Sequence, residues 1–185
     1  MNQILFAVIL VLSWAVHSKA AQIEGVEFKD THVMNDYTLT VRGVGLLRYM
    51  VFIKAYVGAF YMDQNHPASR VFEDVPKQLE LHYFHAIPAS DFAKSTRIMM
   101  GKNVTTEQFE KIRPQLEQMN ALYRDVQPGD RYTATYIPGA GTELALNGDA
   151  LGVVPGFEFA NAYFSIWLGE HPIDKGFRDH LLGKK

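Results

Sequence analysis

The stretch GVGLLRYMVFIKAYVGAFYM, Gly43 to Met62, decides how the chain is read. Val, Ile, Tyr and Phe dominate it and no Pro interrupts it, so it has the composition of a strand. Alternation divides it into two faces. Tyr49, Val51, Ile53, Ala55, Val57, Ala59 and Tyr61 share one face. Arg48, Met50, Phe52, Lys54, Tyr56, Gly58, Phe60 and Met62 share the other. A strand apolar on both faces is covered on both faces. The cations on the second face then need a carboxylate, water or an anionic ligand, because an unpaired buried charge is costly.

Outward from this strand the chain alternates simple signals. Ile23 to Phe28 reads as a first edge strand and Tyr37 to Val41 as a second. Gly43 and Gly45 mark a bulge or tight bend before the central strand. Lys77 to Phe84 alternates, with Leu79, Leu81 and Tyr83 on one side. A helix starts near Pro88, with Ser90 or Asp91 as its cap. A second starts at Thr105, where Gln108 completes a capping box, and carries Phe109, Ile112, Leu116, Met119 and Leu122 at helical spacing. Pro114 falls inside it. Arg131 to Ile137, Thr142 to Leu146 and Ala150 to Val154 form a meander, the last two joined by an Asn147-Gly148 turn. Phe157 to Leu168 reads as a buried helix ending at Gly169, and Asp174 caps a closing helix. Hairpin-length connections with helices between the sheet segments give an α+β fold in one domain, residues 21–185.

Residues 1–20 carry a hydrophobic block from Ile4 to Val16, followed by Ser18-Lys19-Ala20. They read as a secretory signal peptide cleaved after Ala20, with uncleaved anchoring as the alternative. The expected location is the periplasm of a bacterium, with no stable membrane span after cleavage. Removal of Lys19 leaves 17 basic against 20 acidic residues, a balance that argues against a nucleic-acid partner. There is no cysteine, so no disulfide, thiol nucleophile or thiolate metal site is available. The seven histidines lack metal-binding spacing, and no GxSxG motif occurs. Neither a cofactor nor a metal is expected.

The remaining chemistry lies with Arg48, Lys54 and Tyr56. In one reading Arg48 pairs with a carboxylate, Lys54 snorkels and Tyr56 is core. In the other they form an anion site at the floor of an apolar cleft, with Arg48 turned inward.

GxGxxR at Gly43 to Arg48, K-x-Y-x-x-x-x-Y at Lys54 to Tyr61, Pro138 to Thr142, and Phe159-Ala160-Asn161-Ala162 running on to Pro172 together resemble the chalcone isomerase-like superfamily, in its bacterial exported branch. The resemblance implies an open-faced β-sandwich: a curved antiparallel sheet, a helical layer over one face, and a cleft between them. Enzymes of that superfamily cyclise chalcones; related plastid members bind fatty acids through an arginine on this strand and a tyrosine further along it. Arg48 falls at the shared arginine and Tyr56 at the binders' tyrosine. Phe92 and Met99 stand near the positions of the enzymes' tyrosine and asparagine. The resemblance therefore implies a non-catalytic binder of a fatty-acid-like or other apolar carboxylate. Arg48, Tyr56 and Lys54 are expected on the head group, with Phe52, Phe92, Met99 and Asn161 lining the cleft. The alternatives are an intramolecular lyase (isomerase) acting on a chalcone-like phenolic enone, with Arg48 on the oxyanion and Tyr56 or Lys54 moving the proton, and a structural or partner-docking protein with a vestigial cleft.

Overall fold

The computed structural model describes residues 21–34, 36–50 and 52–184. The segment read as an export signal lies outside them, as does Val51. Among the described residues nine strands and four α-helices follow in order: β1 (Ala21–Ile23), β2 (Val26–Phe28), β3 (Thr31–Met34), β4 (Tyr37–Tyr49), β5 (Ile53–Asp63), β6 (Lys77–Tyr83), α1 (Ala89–Gly101), α2 (Thr106–Leu122), β7 (Arg131–Ile137), β8 (Gly141–Leu146), β9 (Asp149–Val154), α3 (Phe157–Leu168) and α4 (Lys175–Leu181). Strands β3 to β9 form one antiparallel sheet in sequence order, and β1 and β2 form a separate two-stranded ribbon. The α+β open-faced sandwich expected from the sequence is present.

Both faces of the sheet are covered. Leu47, Tyr56, Phe60, Met62, Leu79 and Leu81 pack with the helices in the larger core. Val57, Ala59 and Tyr61 pack with Val26 and Phe28 of the ribbon in a smaller one. Alternation along β5 therefore sends Tyr56, Phe60 and Met62 to the helices and Val57, Ala59 and Tyr61 to the ribbon, as the two-faced reading requires. The α3 helix spans the twelve residues read from the sequence, with nine of them buried.

Three readings are corrected. The stretch from Gly43 to Met62 is a hairpin: β4 ends at Tyr49, the chain reverses, and β5 begins at Ile53. Met50 takes a positive φ of 49° and its carbonyl accepts from the Phe52 N–H at 2.8 Å, which closes the reversal. The segment Ile23 to Phe28 is likewise a reversal, not one strand. Glu24 at φ 52° and Gly25 at φ 79° turn β1 back into β2. Helix α1 is not capped by Ser90 or Asp91. Pro88 holds the N-cap, and the Ala89 N–H is satisfied by the Asp125 carboxylate at 2.8 Å. The capping box on α2 forms as read, with Thr105 accepting from the Gln108 N–H.

Gly43 and Gly45 lie where α4 crosses β4. A Cβ at Gly43 would stand 1.9 Å from the His180 carbonyl oxygen, and one at Gly45 would stand 2.8 Å from the Phe177 ring. The glycines are required by this close approach, with a bulge between Val41 and Gly43 beside it.

Candidate functional site

A second bulge in the β4–β5 hairpin sets the direction of Lys54. Leu47 pairs with Tyr56 and Arg48 with Lys54, so Ala55 is the extra residue. Ala55 packs with Tyr56 on the helical side. The bulge breaks the two-residue period, and Lys54 emerges on the ribbon side of the hairpin. Arg48, next to the helix-facing Leu47, emerges there too. Both meet Glu24 in the ribbon's turn: Lys54 Nζ lies 2.6 Å from Glu24 Oε2, and Arg48 Nη2 lies 3.8 Å from Glu24 Oε1. Two like charges directly opposite on adjacent strands repel, and one carboxylate between them relieves this. Both cationic side chains are about half exposed, at 49% and 50%.

Beside this triad lies a shallow depression of about 530 Å³, bordered by Glu24, Phe52, Ile53, Lys54, Phe84 and His85. It combines an apolar wall with the Lys54–Glu24 pair at one rim, and Arg48 reaches Glu24 from outside the lining. A larger, more polar groove of about 850 Å³ runs between α2 and α3 and includes Asn161, Gln108, Lys111 and Ser165.

Arg48 and Tyr56 do not share a site. Tyr56 is buried in the helical core, where its hydroxyl accepts from Trp167 Nε1 at 3.1 Å and its ring meets Tyr83 and Phe177 edge-on. The expectation of an inward Arg48 beside the Tyr56 hydroxyl is corrected for this reason: Leu47, paired with Tyr56, faces the helices, so alternation along β4 turns the next residue, Arg48, to the other face and leaves the phenol in. Phe52, expected in the cleft, stands 90% exposed at the hairpin turn. Phe92 and Met99 do lie between the layers. Phe92 stacks on Tyr123 and meets Tyr83 and Tyr132 edge-on, and Met99 is buried. Asn161 sits apart at the α2–α3 groove, donating to the Phe72 carbonyl at 2.9 Å.

The phenols between the layers are held protonated. Burial pushes the Tyr56 hydroxyl well above its ordinary range, with the Trp167 hydrogen bond opposing and Asp174 adding to the shift. Burial likewise pushes Tyr123 up to about 12, against hydrogen bonds with Thr96 and Tyr163. Such groups are far from the near-neutral pKa that suits general acid–base work.

One functional-looking group escaped the sequence reading. Lys77 is completely buried. Its ammonium donates to the carbonyls of Val71 at 2.5 Å and Glu73 at 3.1 Å and to Asn161 Oδ1 at 3.4 Å, and lies 5.3 Å from the centre of the Tyr136 ring. Burial brings its pKa down to about 8, with nearby Asp74 opposing. The signal was present: the alternation of Lys77 to Tyr83 places Lys77 on the same side as Leu79 and Leu81.

A model of the chalcone isomerase-like family matches residues 20–183. The chain belongs to that family. Among solved structures, a fatty-acid binding protein from Arabidopsis thaliana superposes with a TM-score of 0.66 at 18% identity, covering 86% of this chain and 92% of that one. At that identity the likeness establishes a common fold. No curated protein sequence matches the chain. Within this chalcone isomerase-like fold, the region between sheet and helices holds the tyrosines, Phe92 and Trp167 in mutual ring contact. The cations, by contrast, gather at the free end of the β4–β5 hairpin.

Proposed function

We propose that the protein is a non-catalytic binder of an apolar carboxylate, fatty-acid-like in chemistry, and that the carboxylate exchanges with Glu24 on Arg48 and Lys54. The observation that carries this reading is the convergence of two half-exposed cations on one carboxylate at the rim of an apolar depression. Glu24 then marks the position of a ligand head group, and Phe52, Ile53 and Phe84 offer the tail apolar surface. Exposed ion pairs contribute about 0–1 kcal/mol, so displacing Glu24 costs little. Burial of the tail supplies most of the affinity. The fatty-acid binding neighbour is consistent with an apolar ligand, and the strongly raised phenols between the layers favour binding over proton transfer. The same proposal takes residues 1–20 as a cleaved export signal and places the binder in a bacterial periplasm. An exported protein whose mass corresponds to a chain beginning at Ala21 is the expected result, and an intact N-terminus would contradict it.

Titration with cis-parinaric acid, a fluorescent apolar carboxylate, tests the binding claim. Glu24→Gln is expected to tighten binding by roughly twofold to fivefold by removing the competing anion. Arg48→Ala with Lys54→Ala is expected to weaken it by about tenfold or more. Identical affinities in all three proteins would contradict the assignment of these residues.

A further inference from the structure

The β4–β5 hairpin end carries an exposed apolar knob, of which the carboxylate-binding reading uses Phe52 and Ile53 but not Tyr49 or Met50. Tyr49 is 62% exposed, Met50 70%, Phe52 90% and Ile53 44%. The hairpin stands clear of its neighbours. β3 pairs with β4 only over Tyr37 to Thr40, and β6 pairs with β5 only from Tyr56 onward. Residues 48–50 and 52–54 therefore project past the sheet, flanked by Glu24 of the ribbon and by Phe84 and His85. Their composition is unusual for a tight reversal, which ordinarily uses Gly, Asn, Asp or Pro. Here Met50 occupies a left-handed conformation, at φ 49°, that Gly or Asn would adopt more easily. Large apolar side chains are thus presented to the outside at a position where folding alone favours polar ones.

We infer that this knob inserts into the surface of a bilayer bearing anionic lipids. The charge pattern selects the occupant. Arg48 and Lys54 pair across the strands directly behind the tip, with Glu24 between them, so two cations face one anion. Basic side chains just behind an apolar edge lie at the depth of lipid head groups when that edge enters the acyl boundary. Tyr49, with an apolar ring and a polar hydroxyl, suits the same boundary. The knob is convex and projects by only a few side chains, which a fluid interface accommodates without a complementary groove.

Co-sedimentation with vesicles decides the matter, using vesicles of mixed phosphatidylglycerol and phosphatidylcholine against vesicles of phosphatidylcholine alone. The unmodified protein is expected to bind the anionic vesicles more tightly, and salt is expected to weaken that preference. Met50→Ser with Phe52→Ser should weaken binding by about tenfold or more while leaving the melting temperature unchanged, because both side chains are exposed. Arg48→Gln with Lys54→Gln should remove the anionic preference and leave residual binding. Equal binding by the serine variant, or no binding of the unmodified protein to either vesicle, would overturn the inference. So would a concentration-dependent dimer, seen by light scattering without vesicle binding and abolished by the serine variant; the knob would then belong to a second copy of the chain. None of these outcomes depends on whether parinaric acid binds.

Discussion

The protein gains stability as pH rises from 7 towards 10, and Lys77→Met loses most of that gain. The folded chain holds Lys77 at about 8, against 10.5 for a free lysine. Between those values the unfolded chain keeps a proton that the folded chain has released, so raising the pH favours the folded state. Below pH 8 the ammonium is charged in both states and the full cost of burying it is present. The gap corresponds to roughly 2–3 kcal/mol of stability recovered between pH 7 and pH 10. Above pH 10 the sign reverses. Buried Tyr56, Tyr83 and Tyr163 have pKa values raised by burial, so ionisation there favours the unfolded chain. Denaturant melts across this range should show a maximum near pH 10. In Lys77→Met the decline above pH 10 persists, while the rise before it is largely lost. A flat profile for the unmodified protein between pH 7 and 10 would show that Lys77 titrates as it does in water. The pH slope is the informative quantity. At fixed pH, removing a buried charge favours the fold, while stranding the Val71 and Glu73 carbonyls opposes it.

Gly43→Ala carries the second large effect. The added methyl would stand 1.9 Å from the His180 carbonyl oxygen, 2.9 Å from that of Leu181 and 3.0 Å from the Gly183 nitrogen. All three are backbone atoms, so no rotamer change relieves the clash, and α4 must move off the sheet. Phe177 and Leu181 of that helix are essentially fully buried and would lose part of their packing. The expected loss is about 3 kcal/mol or more. For a chain of this size that lowers Tm by roughly 6–12 °C. A melting temperature within 2 °C of the unmodified protein would mean that α4 does not lie against Gly43.

Much of the architecture was legible in the residues. The alternation in Lys77 to Tyr83, the capping box at Thr105, the Asn147-Gly148 turn and the apolar run from Phe157 to Leu168 each specify an element through local chemistry, and each formed. The β4–β5 reversal was not legible. Its residues, Tyr49 to Ile53, contain no Gly, Pro, Asn or Asp and favour strand on both sides. That same apolar composition supports the lipid-surface inference. The site was legible in part. Arg48 and Lys54 stood out as cations in an apolar stretch, and both meet the Glu24 carboxylate. The direction of Lys54 depended on one extra residue, Ala55, which no alternation count reveals, and that of Arg48 on the reversal that puts it on a different strand from Tyr56. Glu24 lies 24 and 30 residues from its partners, in a ribbon separate from the main sheet. A contact of that range is set by tertiary packing and leaves no local trace. Lys77 was legible and passed over, since its parity with Leu79 and Leu81 placed a cation among core residues.

The most direct measurement is nuclear magnetic resonance of the 15N-labelled protein titrated with dodecanoic acid. Exchange of the ligand's carboxylate with Glu24 predicts that shifts concentrate at Glu24, at residues 47–55 and at Phe84 and His85, while the indole N–H of Trp167, held by the Tyr56 hydroxyl, stays unmoved. A large shift or loss of that indole signal with the hairpin unchanged would place the ligand between the layers and contradict the account.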